Sequence, residues 1–170
     1  MHPARVYDVL TQARKHLFDW VRPLSQEQYT KAFPYGMRSV RATMLEIAGA
    51  EWAYVRRMQG LLVPAREDRP ANETKMPMFA DLEPFWNEQA ARTRAMLASI
   101  TDWDRVLEAR AVLNGKPMIV SGSLGDFAGQ LLFHEVHHRA QVMSMLRQLG
   151  VEAQNLDYGR FTLPWREVPA

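Results

Sequence analysis

Four stretches of this chain repeat apolar residues at three- and four-residue steps, and the segments between them leave room for one small hairpin. That periodicity marks amphipathic helices. The first stretch carries Val6, Leu10, Ala13, Leu17 and Val21 and stops at Pro23. Ser25 and Gln28 have capping-box spacing, which predicts a short helix or turn at LSQEQYT. After the breaker cluster Phe33-Pro34-Tyr35-Gly36, Ser39 is placed to cap a second long helix through VRATMLEIAGAEWAYVRRM, with Gly60 as its stop. This helix is apolar on most sides and rich in alanine, which predicts burial and close neighbours.

Residues 61–80 hold three prolines and mixed charges and read as an irregular loop of the length that often borders a site. Asp81 is expected to cap a third helix from Leu82 to about Ile100, with Pro84 in its first turn. Its buried stripe would be Leu82, Phe85, Trp86, Gln89, Thr93, Met96, Leu97 and Ile100. Asn114-Gly115 between two extended runs predicts a β-hairpin near residues 105–121. Ser123 opens the last long helix, which runs to Gly150 with Leu124, Phe127, Leu131, His134, His138, Met145 and Leu149 on one face. The tail beyond Gly150 reads as irregular. The expected architecture is all-α: a four-helix bundle with a small hairpin, formed by residues 1–170 as a single domain.

Composition narrows the function classes. A formal net charge of +2 is too small to point to a nucleic-acid partner. No apolar run approaches the ~18 residues of a membrane span, and the charged start MHPARVYDVLTQARKHLFDW has no h-region, so neither a membrane anchor nor a signal peptide is expected. Cysteine is absent, which removes disulfides, thiolate metal sites and a cysteine nucleophile together and agrees with a cytoplasmic address. There is no Walker loop, no GxGxxG and no GxSxG.

Few polar residues remain that a plain bundle does not need. His134 and His138 stand at i and i+4 in LLFHEVHHRAQVMSML, so their imidazoles are neighbours on the inward face and can reach one metal ion. The spacing is common, and two partly buried histidines with ordinary hydrogen bonds account for it in most chains. His137 lies about 60° off that face and reads as a flank residue. Glu46 adds weight to a metal, because it interrupts the apolar run MLEIAGAEW with no basic residue one turn away on its own helix. A carboxylate in such a place is protonated, paired with a distant arginine, or bound to a cation. Two histidines and a carboxylate from facing helices form a recognised metal set; a salt bridge from Glu46 to Arg139 or Arg57 is the competing reading. Tyr54, two turns beyond Glu46, is a candidate to hydrogen-bond a metal-bound ligand, with core packing as the plainer role. Arg139 follows the histidines directly and is a candidate to orient a carboxylate or substrate anion, with a structural ion pair as the plainer role. Glu51 reads as structural.

These residues carry a resemblance. SVRATMLEIAGAEWAYVRRMQG resembles the second-helix segment of the DinB-like (YfiT-like) metalloenzymes, and LLFHEVHHRAQVMSMLRQLG resembles their fourth helix, where HxxxHRGQ-type text is typical. LSQEQY and LDYGRF fit the same layout. The resemblance implies a four-helix bundle in which one ligand on the second helix and two on the fourth hold a divalent metal. Carried over, the ligands are Glu46, His134 and His138. Glu46 stands where the family usually has histidine, and Ala140 where it has glycine.

Zinc or nickel would be the first expectation, manganese or iron the alternatives. Family members include enzymes that use a low-molecular-weight thiol such as bacillithiol or mycothiol, which implies an S-transferase acting on a small electrophile. A metal-dependent hydrolase and a non-catalytic bundle are the alternatives. The expected partner is a small-molecule substrate. The resemblance, together with five Trp and ten Met in a chain of this size, also suggests a homodimer.

Overall fold

The computed structural model describes residues 2–113 and 116–168. Its elements are α1 (Pro3–Val21), α2 (Gln26–Thr30), α3 (Val40–Met58), α4 (Phe79–Ser99), β1 (Val106–Leu113), β2 (Lys116–Ser123), α5 (Leu124–Gln148) and α6 (Tyr158–Thr162). The four long helices form the bundle: α3 packs on α5 and α4, and α1 packs on α5 and α4.

Local chemistry sets the helix ends. The Ser25 hydroxyl accepts from the Gln28 N–H while the Gln28 side chain accepts from the Ser25 N–H, completing the capping box. Ser39 caps α3 through the Ala42 N–H, and Ser123 caps α5 through the Asp126 N–H. Gly60 and Gly150 follow α3 and α5 at φ +72° and +84°, a left-handed stop that glycine adopts without a Cβ penalty.

Two expectations shift. α4 begins at Phe79, three residues before the expected start. Asp81 lies inside its first turn, and its carboxylate reaches back to accept from the Met78 N–H at 2.9 Å. Pro84 is therefore the sixth helical residue, on an exposed face. The tail also holds the short α6, which packs on α1.

β1 and β2 pair antiparallel, with Val106 opposite Ser123 and Leu113 opposite Lys116. The turn expected at Asn114-Gly115 lies outside the described residues. No helix among them is long and apolar enough to cross a membrane.

The core divides into two apolar clusters. One gathers Leu17, Val40, Met44, Trp86, Met145 and Leu146; the other gathers Tyr7, Leu10, Val55, Leu97, Phe127 and Leu131. Between them, each long helix contributes a buried polar group: Arg14, Glu51, Thr93 and Glu135. Arg14 bridges both carboxylates, reaching Glu51 at 2.8 Å and Glu135 at 2.5 Å. Tyr7, Trp86 and Thr93 also donate to Glu51. A buried charge is tolerable only with partners of this kind. Glu51 is thus structural and pairs across the bundle.

Candidate metal centre

Helices α3 and α5 bring Glu46, His134 and His138 together. One ligand atom from each lies within 4.8 Å of the others. His134 Nε2 stands 3.5 Å from Glu46 Oε1, and the two imidazole centroids are 4.4 Å apart. All three side chains are half-buried. Neighbouring donors around a tetrahedral ion bound at about 2.0–2.2 Å are themselves separated by about 3.4 Å, so the set fits a small divalent cation with little side-chain movement.

Each donor is held by something else. Glu46 also pairs, through Oε2, with Arg66 from the loop after α3. Neither Arg139 nor Arg57 is its partner. His134, ahead of Arg66, holds the Glu46 carboxyl below the ordinary carboxylate range, against the opposing effect of burial. His138 Nδ1 lies 2.9 Å from Gln141 Oε1, and Gln141 Nε2 lies 3.0 Å from His137 Nε2. The amide oxygen can only accept, so Nδ1 of His138 carries the proton and Nε2 keeps its lone pair for a cation. Burial holds the His138 imidazole below its ordinary range, which favours the neutral form a metal needs. His137 is exposed and serves as a partner of Gln141.

The other candidates separate. The Tyr54 ring lies 6.5 Å from that of His134, at the edge of the site. Arg139 is buried on another side of α5, where it donates to the Leu156 carbonyl at 3.3 Å and stands 3.9 Å from Glu135. It belongs with the polar layer and the tail.

Of two cavities in this region, one is lined by Tyr54 at the edge of the site and only the other by a donor. One, of about 680 Å³, is lined by Tyr54, Arg57, Phe127 and Gln130 and walled by β2. The other, of about 260 Å³, is lined by Glu46 itself with Arg66 and Arg69.

Sequence reading misses Arg66, Gln141 and the Arg14–Glu135 pair. Arg66 opens a three-residue 3-10 turn, Arg66–Asp68, in the segment expected to be an irregular loop, and a turn that short leaves no periodicity to read. Arg14 does carry a signal, because it stands on the stripe of Leu10, Leu17 and Val21.

The chain's fold is similar to that of YfiT from Bacillus subtilis, described as a probable metal-dependent hydrolase with an unusual four-helix bundle topology. The TM-score is 0.67 at 17% identity, covering 88% of this chain and 89% of that one. No curated protein matches the chain in sequence. The model of the DinB family matches residues 2–167, nearly the whole chain. The chain belongs to the DinB family.

Proposed function

We propose that this chain is a divalent-metal-dependent enzyme that transfers a low-molecular-weight thiol, of the bacillithiol or mycothiol type, to small electrophiles. Convergence of Glu46, His134 and His138 is the observation that carries the metal dependence. A divalent cation, zinc or nickel first, would supply Lewis acidity that makes a thiol or water available as its anion near neutral pH. The chain's own residues prepare that chemistry. Glu46 contributes one negative charge, Gln141 fixes the His138 tautomer, and Arg66 engages the Glu46 oxygen that does not face His134. A cavity lined by Glu46 and a second bordered by Tyr54 offer room for two small molecules. The thiol must come from outside, since the chain has no cysteine, and a cytoplasmic thiol pool is the matching source.

Metal-assisted hydrolysis is the second reading. It is favoured by the donor set, because two histidines and one glutamate also hold the zinc of hydrolytic enzymes, and by the likeness to YfiT.

Elemental analysis of protein made without a histidine tag tests the metal. Product formation from zinc- or nickel-loaded protein, with and without bacillithiol or mycothiol, tests the reaction. A thiol adduct formed only with thiol present supports transfer; cleavage without thiol replaces it with hydrolysis. Protein that takes up no metal overturns both. A homodimer is part of the proposal, with Phe133, 75% exposed on α5, as apolar surface available for pairing. Light scattering at 19.6 kDa would remove it.

A further inference from the structure

The α3 stripe that carries Glu46 also carries Ala50, Ala53 and Arg57. Positions 46 and 57 differ by three turns, about 16 Å along the axis, and fall within about 20° of the same direction. Ala53 between them is buried and Ala50 half-buried, so the link between the two ends is Tyr54, which lines the neighbouring cleft and whose ring lies 6.5 Å from that of His134. Side chains on a helix lean toward its N-terminus, so Arg57 and Tyr54 lean toward the donors.

Arg57 is the unusual member. Its Nε is buried without a hydrogen-bond partner, and among the described residues its guanidinium forms no ion pair. Its Cζ stands 5.0 Å from the Tyr54 ring centroid, a stacking that leaves the N–H edge for another group. Arg57 borders the 680 Å³ cleft and, on another side, a pocket of about 310 Å³ that Glu108 and Arg110 also line. Asp126 lines the same cleft as an anion, and its Oδ2 accepts from both the N–H and the hydroxyl of Ser123, at 2.9 and 2.7 Å, which turns that oxygen toward the cap of α5. The surroundings add positive charge. Arg69 shares the neighbouring pocket with Arg66 and Glu46, and burial, followed by the charges of Arg57 and Arg66, holds its guanidinium below the ordinary value. Met118, Ile119, Val120 and Phe127 give the cleft an apolar wall, with Ser121 and Gln130 as its other polar residues.

We infer that this cleft binds a small molecule that carries an oxyanion, carboxylate or phosphate, on Arg57 and lays an apolar body along β2 and Phe127, with its other end directed at the donors of Glu46, His134 and His138. Only the last clause rests on the metal reading. The oxyanion subsite is a property of Arg57 and the cleft and holds in metal-free protein. A guanidinium already stacked on a ring loses little freedom when it forms a forked pair with an oxyanion, which makes Arg57 the anchor and the apolar wall the measure of length.

Calorimetric titration of chelator-treated, full-length protein with octanoate, octyl phosphate and octanol tests the subsite. Both anions, or one of them, should bind, and octanol should bind more weakly. Their relative affinities tell a carboxylate from a phosphate ligand. Arg57→Gln should weaken anion binding at least about tenfold, in keeping with the loss of a charged hydrogen-bonded pair, and leave octanol unchanged. Arg57→Lys should recover part of the loss. Should the Gln variant not fold, amide shifts of the wild-type protein still decide: octanoate should move Tyr54, Arg57, Gly122 and Phe127. Anion binding that is absent, equal in wild type and Arg57→Gln, or mapped to another surface overturns the subsite. Zinc uptake measured on the same preparation reports separately on the metal reading, so either can fail alone.

Discussion

A Cβ at Gly36 would stand 2.8 Å from Oε1 of Gln141, the atom that meets Nδ1 of His138. Gly36 also has φ +58°, where a side chain is strained. The bend before α3 therefore packs closely, with no room for a side chain, on the amide that meets a metal-ligand candidate of α5. Gly36→Ala should cost about 1–2 kcal/mol from the backbone alone. It should also weaken zinc binding, because the Gln141 amide is the movable partner. Gln141→Ala, free of backbone strain, should weaken zinc binding about 10–100-fold with a smaller loss of stability. Zinc titration and urea unfolding of both variants separate the two effects.

Glu46 has two charged neighbours, and substitutions there distinguish a ligand from an ion-pair member. Glu46→Gln should lower zinc affinity at least about tenfold, since changes to the groups that merely orient a ligand already cost about 10–100-fold. Glu46→His should retain binding and shift preference toward metals that favour imidazole. Arg66 is mostly exposed, so its loss of a partner should change stability by no more than about 1 kcal/mol. A wild type and Glu46→Gln variant with equal zinc content would remove Glu46 from the donor set.

Acid should act on the metal-free protein first through His138. Its imidazole is held below the ordinary value of about 6.5 by burial. The unfolded chain therefore takes up this proton at a higher pH than the folded one. The stability it contributes is present above about pH 6.5 and is lost as pH falls through the folded value. Glu46, also lowered, loses its contribution only below the ordinary carboxylate range. Thermal unfolding between about pH 7.5 and 5 should show a falling midpoint, and His138→Gln should flatten that slope.

Arg14 holds two carboxylates in the polar layer, and Arg14→Met should cost about 3–5 kcal/mol by stranding them. Replacing Glu51 and Glu135 with Gln in the same chain should return part of that loss. Urea unfolding measures both. An Arg14→Met variant as stable as wild type would contradict the bridging role.

The bundle is legible in the sequence because burial imposes a period on each long helix, and the caps at Ser25, Ser39 and Ser123 are strictly local chemistry. The start of α4 is ambiguous for the same reason. An aspartate can accept from an N–H at the helix boundary either as the cap or from the third position, and Asp81 does the latter. Glu46, His134 and His138 can be singled out because each breaks an apolar face. Arg66 and Gln141 cannot. Arg66 depends on the course of a loop, and Gln141, although it falls on the last position of the HxxxHRGQ-type text, shows no role until His138 and Gly36 are packed against it.

The two helices of the candidate centre each carry charge in two directions. On α3, Glu46 and Glu51 point about 140° apart; on α5, His134 is followed by Glu135, and His138 by Arg139, each about 100° around. Every donor is thus rigidly geared to a buried group clamped in the polar layer. Neither helix can roll about its axis to widen the site without tearing Glu51 or Glu135 from Arg14. An ion held by this set would enter and leave by side-chain swings of Glu46 and the imidazoles, with the backbone as a fixed frame. The barrier to such exchange would follow how firmly Arg66 and Gln141 grip those side chains, two contacts at the rim of a scaffold whose stiffness is anchored at its centre.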